Sequence, residues 1–169
     1  MRVVSVSNQP TSVLGDFSWT LLDVLKSSGW TTPTPAQVLE CIEYIKHRGF
    51  ELNNAAQLAI EMFGQANCLF RGSLVTGITF SFKDHFSIFT KTDLWSLEQL
   101  LQEAPCPIGG GAGYTIVVCP SGKAALLHET WTFLVSCHSL ADLMESIVLN
   151  DLSNCHVYRE SELKLYGIR

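Results

Sequence analysis

The chain carries little charge and nowhere concentrates it. Of 169 residues only 16% are Asp, Glu, Lys or Arg, and the formal net charge is −5. No basic stripe is present, which argues against a nucleic-acid partner, because phosphate contacts need clustered Lys and Arg. No apolar run approaches the roughly 20 residues of a membrane span. Residues 1–10 hold one Arg with no apolar segment behind it, so neither a secretory leader nor a membrane is expected. The six cysteines (Cys41, Cys68, Cys106, Cys119, Cys137 and Cys155) show no CxxC spacing. Without a secretory signal, the expectation is free thiols in a reducing cytoplasm. Repeats, linkers and low-complexity tracts are also missing. What remains is a chain that is 47% apolar, enough for one domain with a real core and too apolar for disorder.

The organising stretch is residues 106–129. Tyr114-Thr115-Ile116-Val117-Val118 is β-branched and aromatic and reads as a buried strand. Cys119-Pro120-Ser121-Gly122 fits a type I turn, with Pro second and Gly fourth, and a second strand follows through His128. This hairpin is expected at the centre of a sheet. Three helices precede it. The first runs from about residue 16, with Phe17, Leu21, Leu22 and Leu25 on one face. Gly29 stops it, and Trp30 folds back as a plug. The second opens with Thr34 as N-cap and Pro35 as first residue, carries Val38, Leu39, Ile42 and Ile45, and closes at Gly49. The third is capped by Asn53 or Asn54 and ends at Gly64. Strands are expected over residues 68–71, 74–82 and 130–136, the last with Trp131, Phe133 and Val135 on one face. A fourth helix has Ser96 and Gln99 at capping-box spacing, with Leu97, Leu100 and Leu101 inward. A last helix opens with Ser139 and Asp142. Residues 1–15 read as an arm, 16–150 as the domain, and 151–169 as a polar appendage.

Chemistry is sparse. Gly109-Gly110-Gly111-Ala112-Gly113 fails the GxGxxG pattern at Tyr114 and leads into a strand, whereas a phosphate cradle needs a helix N-terminus. It reads as a bend. The dipeptides Cys137-His138 and Cys155-His156 offer four zinc donors, but 18 residues separate them and no short-spaced pair exists. A cysteine nucleophile needs a His close in space, and adjacent Cys and His point apart. Glu40 and Glu43 read as a solvated helix face. No catalytic set assembles, no cofactor is expected, and a binding protein is favoured over an enzyme. Trp95 stands out: it follows Asp93-Leu94 near Glu98, and a part-exposed Trp beside acids makes a binding anchor.

The order of short features resembles the SUKH superfamily, the Smi1/Knr4-like proteins, and within it the SUKH-3 branch. The features are Gly29-Trp30 after a first helix, a helix ending in Gly49, and a helix ending in Phe63-Gly64. Pro107-Ile108-Gly109 before a strand, Gly122 in the hairpin turn, and a terminal helix over residues 140–149 complete them. The resemblance spans residues 17–150. It departs at Gly110, where members often carry an acid, and at residues 31–34, which lack an Arg common in the family. It implies an α+β fold with helices packed on a mixed, largely antiparallel sheet. It further implies a cytoplasmic immunity protein that neutralises a cognate toxin domain, a nuclease or deaminase, of a polymorphic toxin system. Composition and position then nominate Asp93, Glu98, Glu103 and Glu129, with Trp95 or Trp131 as anchor, to cover a basic cleft on that protein partner. A SUKH-type regulatory scaffold is the first alternative, and a small cysteine-dependent hydrolase the second.

Overall fold

The hairpin forms where its residues predict. The structure is a computed structural model, and it describes residues 13–64, 67–68, 78–79, 90–111 and 113–167. Strand β4 (Tyr114–Val118) pairs antiparallel with β5 (Ala124–His128), Ile116 opposite Leu126. The Gly122 N–H donates to the Cys119 carbonyl at 2.9 Å, the turn bond that the Cys-Pro-Ser-Gly spacing predicts. The turn needs its glycine twice over. Its φ is +92°, and a Cβ there would fall on the Val13 carbonyl oxygen.

Among the described residues five further strands extend the hairpin into one sheet. They are β1 (Asn67–Cys68), β2 (Ile78–Thr79), β3 (Cys106–Gly111), β6 (Phe133–Cys137) and β7 (His156–Arg159). Spatial order follows chain order, β1 through β7, so β4 sits in the middle. Every pairing among the described residues is antiparallel, which sharpens the expected mixed sheet into a meander. Only the end of the glycine run is a bend, Gly113 turning into β4 with φ +85°; its other glycines belong to the sheet. Gly109, Gly110 and Gly111 are buried in β3 and pair with Ile116, Thr115 and Tyr114. Pro107 has no N–H for the ladder, and the register shifts between Pro107 and Gly109, a bulge that accommodates it.

Among the described residues six helices dress the sheet: α1 (Trp19–Ser27), α2 (Pro35–His47), α3 (Asn54–Phe63), α4 (Lys91–Leu101), α5 (Leu140–Leu149) and α6 (Glu160–Leu165). Helix α3 packs on β3 and β4, α5 on β5 and β6, α1 on α5, and α2 on α3. The buried face of α3 includes Ala55, Ala56 and Ala59; small residues there, and glycines on β3, allow close approach. Both side-chain parities of β4, β5 and β6 are buried, so both faces of the central sheet are covered. The fold is a single-domain α+β architecture.

The caps explain the helix starts. Thr34 and Gln37 form a reciprocal capping box on α2. Ser139 Oγ accepts from the Asp142 N–H on α5. Asn53 does two jobs: its Oδ1 accepts from the Ala56 N–H at 2.8 Å, and its Nδ2 donates to the Val118 carbonyl at 2.9 Å, tying α3 to β4. Trp30 folds back as expected. Its ring packs against Phe63, and its Nε1 donates to the Met62 carbonyl at 3.0 Å.

Several expectations change. Helix α4 begins five residues before Ser96, with Thr90 as N-cap and Asp93 as its capping-box partner; Ser96 is buried in the helix body. Leu39 is 56% exposed, and Cys41 takes the inward position on α2 instead. The third expected strand starts at Phe133, and Trp131 lies in the preceding turn with φ +57°. Residues 151–167 are part of the sheet layer: β7 pairs with β6, and Leu163 of α6 is fully buried. Residues 13–15 are docked, with Leu14 buried and its carbonyl accepting from the Ala141 N–H. The remainder of the expected arm, and most of the strands expected over 68–71 and 74–82, lie outside the described residues. Among the described residues no helix is long and apolar enough to cross a membrane.

Candidate functional site

Helix α4 presents one face built from Lys91, Leu94, Trp95 and Glu98. The spacing i, i+3, i+4, i+7 aligns them along one side. The capping box fixes where that face begins, because the Asp93 carboxylate accepts from both the Thr90 N–H and hydroxyl at 2.6 Å. Leu97, Leu100 and Leu101 bury the opposite side. Opposite this face, the turn after α2 contributes Gly49, Phe50 and Glu51, and Ala104-Pro105 closes one end. Together they enclose a depression of about 180 Å³. Gly49 has φ +74°, and the Lys91 side chain passes over it so closely that a Cβ would meet its Cε and Nζ. Phe50 is buried, with the Arg48 guanidinium 5.9 Å from its ring centre.

Trp95 is 61% exposed at the rim of this groove. An indole costs free energy in water and gains it on burial, so a Trp held out on a capped helix is a ready anchor. Two carboxylates, Glu51 and Glu98, and one ammonium, Lys91, line the groove. The indole face favours a cation, and the Arg48 guanidinium beside Phe50 adds a second positive charge near the lining.

The six residues nominated from sequence do not converge. Trp95 and Glu98 share the groove. Asp93 is on the same helix, but its carboxylate is spent on the cap. Glu103 lies past the end of α4, where it accepts from the Ser121 N–H at 3.0 Å and hydroxyl at 2.8 Å and pairs with Lys123 at 3.3 Å. Burial raises its pKa, but the Ser121 bonds and Lys123 outweigh it, leaving Glu103 below its ordinary value. It therefore braces the β4–β5 turn. Glu129 and Trp131 belong to the β5–β6 turn at the other end of five-residue strands, roughly 15 Å away along the sheet. Glu129 is exposed and its N–H donates to the Gly113 carbonyl, while Trp131 is half-buried in its left-handed turn position. Beside them Tyr114, His128 and Phe133 stack in one cluster on the sheet, and His128 Nδ1 lies 2.6 Å from Thr130 Oγ1. Phe50, Glu51, Lys91 and Leu94 were not nominated. The helical spacing about Trp95 contains Lys91 and Leu94; nothing local signals that the turn after α2 lies opposite.

Among the described residues the cysteine side chains divide into two classes. Cys41, Cys106 and Cys119 are buried thiols. Burial pushes Cys106 up to about 12 and, with Glu103 adding to it, Cys119 up to about 12. Neither is a thiolate near neutral pH, so neither offers an activated nucleophile. Cys137 and Cys155 form a disulfide, against the expectation of free thiols. The sheet register explains it: Ser136 pairs with His156, so the next step of the ladder sets Cys137 against Cys155, Cα atoms 4.6 Å apart. The disulfide also takes up both sulfur donors of the Cys-His dipeptides. Among the described residues no three His, Cys, Asp or Glu side chains are arranged to hold a metal ion.

No protein-family model, curated protein or solved structure matches the chain.

Proposed function

We propose that this chain is a cytoplasmic protein-binding module, an immunity protein that occludes the active cleft of a basic toxin domain with the face of α4 that carries Trp95. The observation that carries the proposal is the exposed indole on a capped, well-packed helix, bordered by Glu51 and Glu98. The order of features shared with the SUKH superfamily supports the same class of activity. A nuclease or deaminase acting on nucleic acid presents Lys and Arg around its cleft, and a Trp flanked by carboxylates complements such a surface. Occlusion requires no reaction from the bound protein; it requires a rigid convex element and charge of the right sign. The raised pKa values of Cys106 and Cys119 support binding over cysteine hydrolysis.

The test is inhibition of the toxin domain encoded beside this chain's gene. Trp95→Ala removes the anchor and should weaken inhibition on the order of 30-fold or more, the hot-spot range of about 2 kcal/mol or above. Glu98→Gln should weaken it less and make it less sensitive to salt. Unchanged inhibition by both variants, with unchanged thermal stability, would remove this face of α4 as the binding surface.

A further inference from the structure

We propose that the Cys137–Cys155 disulfide is a reversible thiol–disulfide exchange site, opened by a dithiol reductant at Cys155, that clasps the C-terminal strand and helix onto the sheet. Three observations place it. First, the bridge joins the end of β6 to the loop just before β7 and encloses all of α5. Secondly, the two half-cystines differ in exposure. Cys137 is buried, whereas Cys155 is half-buried and lines an open depression with His138, Ser153, Asn154 and His156. Thirdly, what lies beyond Cys155 is lightly held. Strand β7 is the edge of the sheet, four residues long and paired on one side only, with His156 and Arg159 exposed and Val157 at the exposed limit. Helix α6 rests on β7 and β6, and its Leu163 is the fully buried contact.

The chemistry balances as ordinary exchange. A thiolate of the reductant attacks Cys155 Sγ, forming a mixed disulfide, and the Cys137–Cys155 S–S bond breaks with Cys137 leaving as a thiolate that takes up a proton. The reductant's second thiol then attacks its own sulfur in the mixed disulfide and releases Cys155. Two electrons and two protons pass from the dithiol to the protein, and the reductant becomes a cyclic disulfide. The Ser146 hydroxyl oxygen lies 3.2 Å from Cys155 Sγ, within hydrogen-bond reach of the thiol that reduction releases. Buried Cys106 and Cys119 are protonated and stay out of the exchange.

Reduction frees the stretch between α5 and β7, about six residues, before the tail can close onto the sheet. Loop closure over that length costs roughly ten- to twentyfold in the closing equilibrium. Edge-strand amides should therefore open about tenfold more often in the reduced protein.

The experiment combines alkylation mapping with hydrogen exchange on the full chain, before and after a dithiothreitol titration. Without reductant, alkylation of the denatured protein should spare Cys137 and Cys155. With reductant under native conditions, both should label while Cys106 and Cys119 stay unlabelled. Exchange should rise by about tenfold in residues 151–167 and remain unchanged in α2 and α3. The double variant Cys137→Ser/Cys155→Ser should match the reduced protein and ignore reductant. Three results would each overturn the proposal: Cys137 and Cys155 alkylated without reductant, a disulfide that native reductant cannot open, or exchange that rises uniformly across the chain.

Discussion

Single residues set the local geometry, and two of them make sharp predictions. Gly122 combines a left-handed backbone with no space for a Cβ against Val13. Gly122→Ala should cost about 2 kcal/mol or more, from the backbone term plus the displaced 13–15 segment, read as a drop in urea midpoint at constant slope. Glu103 has a folded pKa below its ordinary value of 4.5. A depressed carboxyl pKa contributes stability above the unfolded value, and that stability is lost as pH falls through the folded one. Wild type should therefore melt higher than Glu103→Gln near pH 7, and the gap should close on acidification below about 4.5. A gap that is constant from neutral to acid pH would mean that the Ser121 and Lys123 contacts do not favour the charged form. Trp131 is the odd residue of the set. A bulky side chain at φ +57° is unusual, and its half-buried packing offsets the backbone cost.

At the scale of elements, the sheet and the helices are tied by a few polar bonds, chief among them those of Asn53. Asn53→Ala removes the cap of α3 and leaves the buried Val118 carbonyl without its amide donor, which should lower stability by about 2–3 kcal/mol. Asn53→Asp keeps the cap and loses the donor, so it should recover only part of that. Equal stability of both variants with wild type would show the tie to be idle. Much of this level was legible in the sequence. The Thr34-Pro35 start, the Asn53 cap, the Cys-Pro-Ser-Gly turn and the Ser139 cap are local chemistry, and all appear where the residues place them. The start of α4 was misplaced because Ser96 and Gln99 mimic a capping box inside a helix whose real cap is Thr90 with Asp93. The glycines of β3 resemble a bend in sequence because glycine alone marks flexibility; their burial depends on β4 and α3, which local sequence does not report. The C-terminal segment looked polar because β7 is an edge strand with only one side to bury. The disulfide hid for the opposite reason. Its half-cystines are 18 residues apart, and only the β6–β7 register sets them face to face.

At the scale of the molecule, a central meander covered on both faces leaves function to its periphery. Of the nominated acids, Asp93 and Glu103 serve the fold, and Glu129 lies at the far end of the strands. The groove that remains joins α4 to the turn after α2, so its cleft depends on how two elements distant in sequence are packed. The regulatory-scaffold alternative differs in the partner, a signalling protein rather than a toxin. The most direct measurement is co-purification from the native cell with wild-type chain and Trp95→Ala in parallel, followed by assay of whatever is captured. The immunity proposal predicts recovery of a basic nuclease or deaminase domain by the wild type, loss of its activity in that complex, and little recovery by Trp95→Ala. A signalling or regulatory protein captured in its place, or a toxin domain held equally well by both chains, would contradict it.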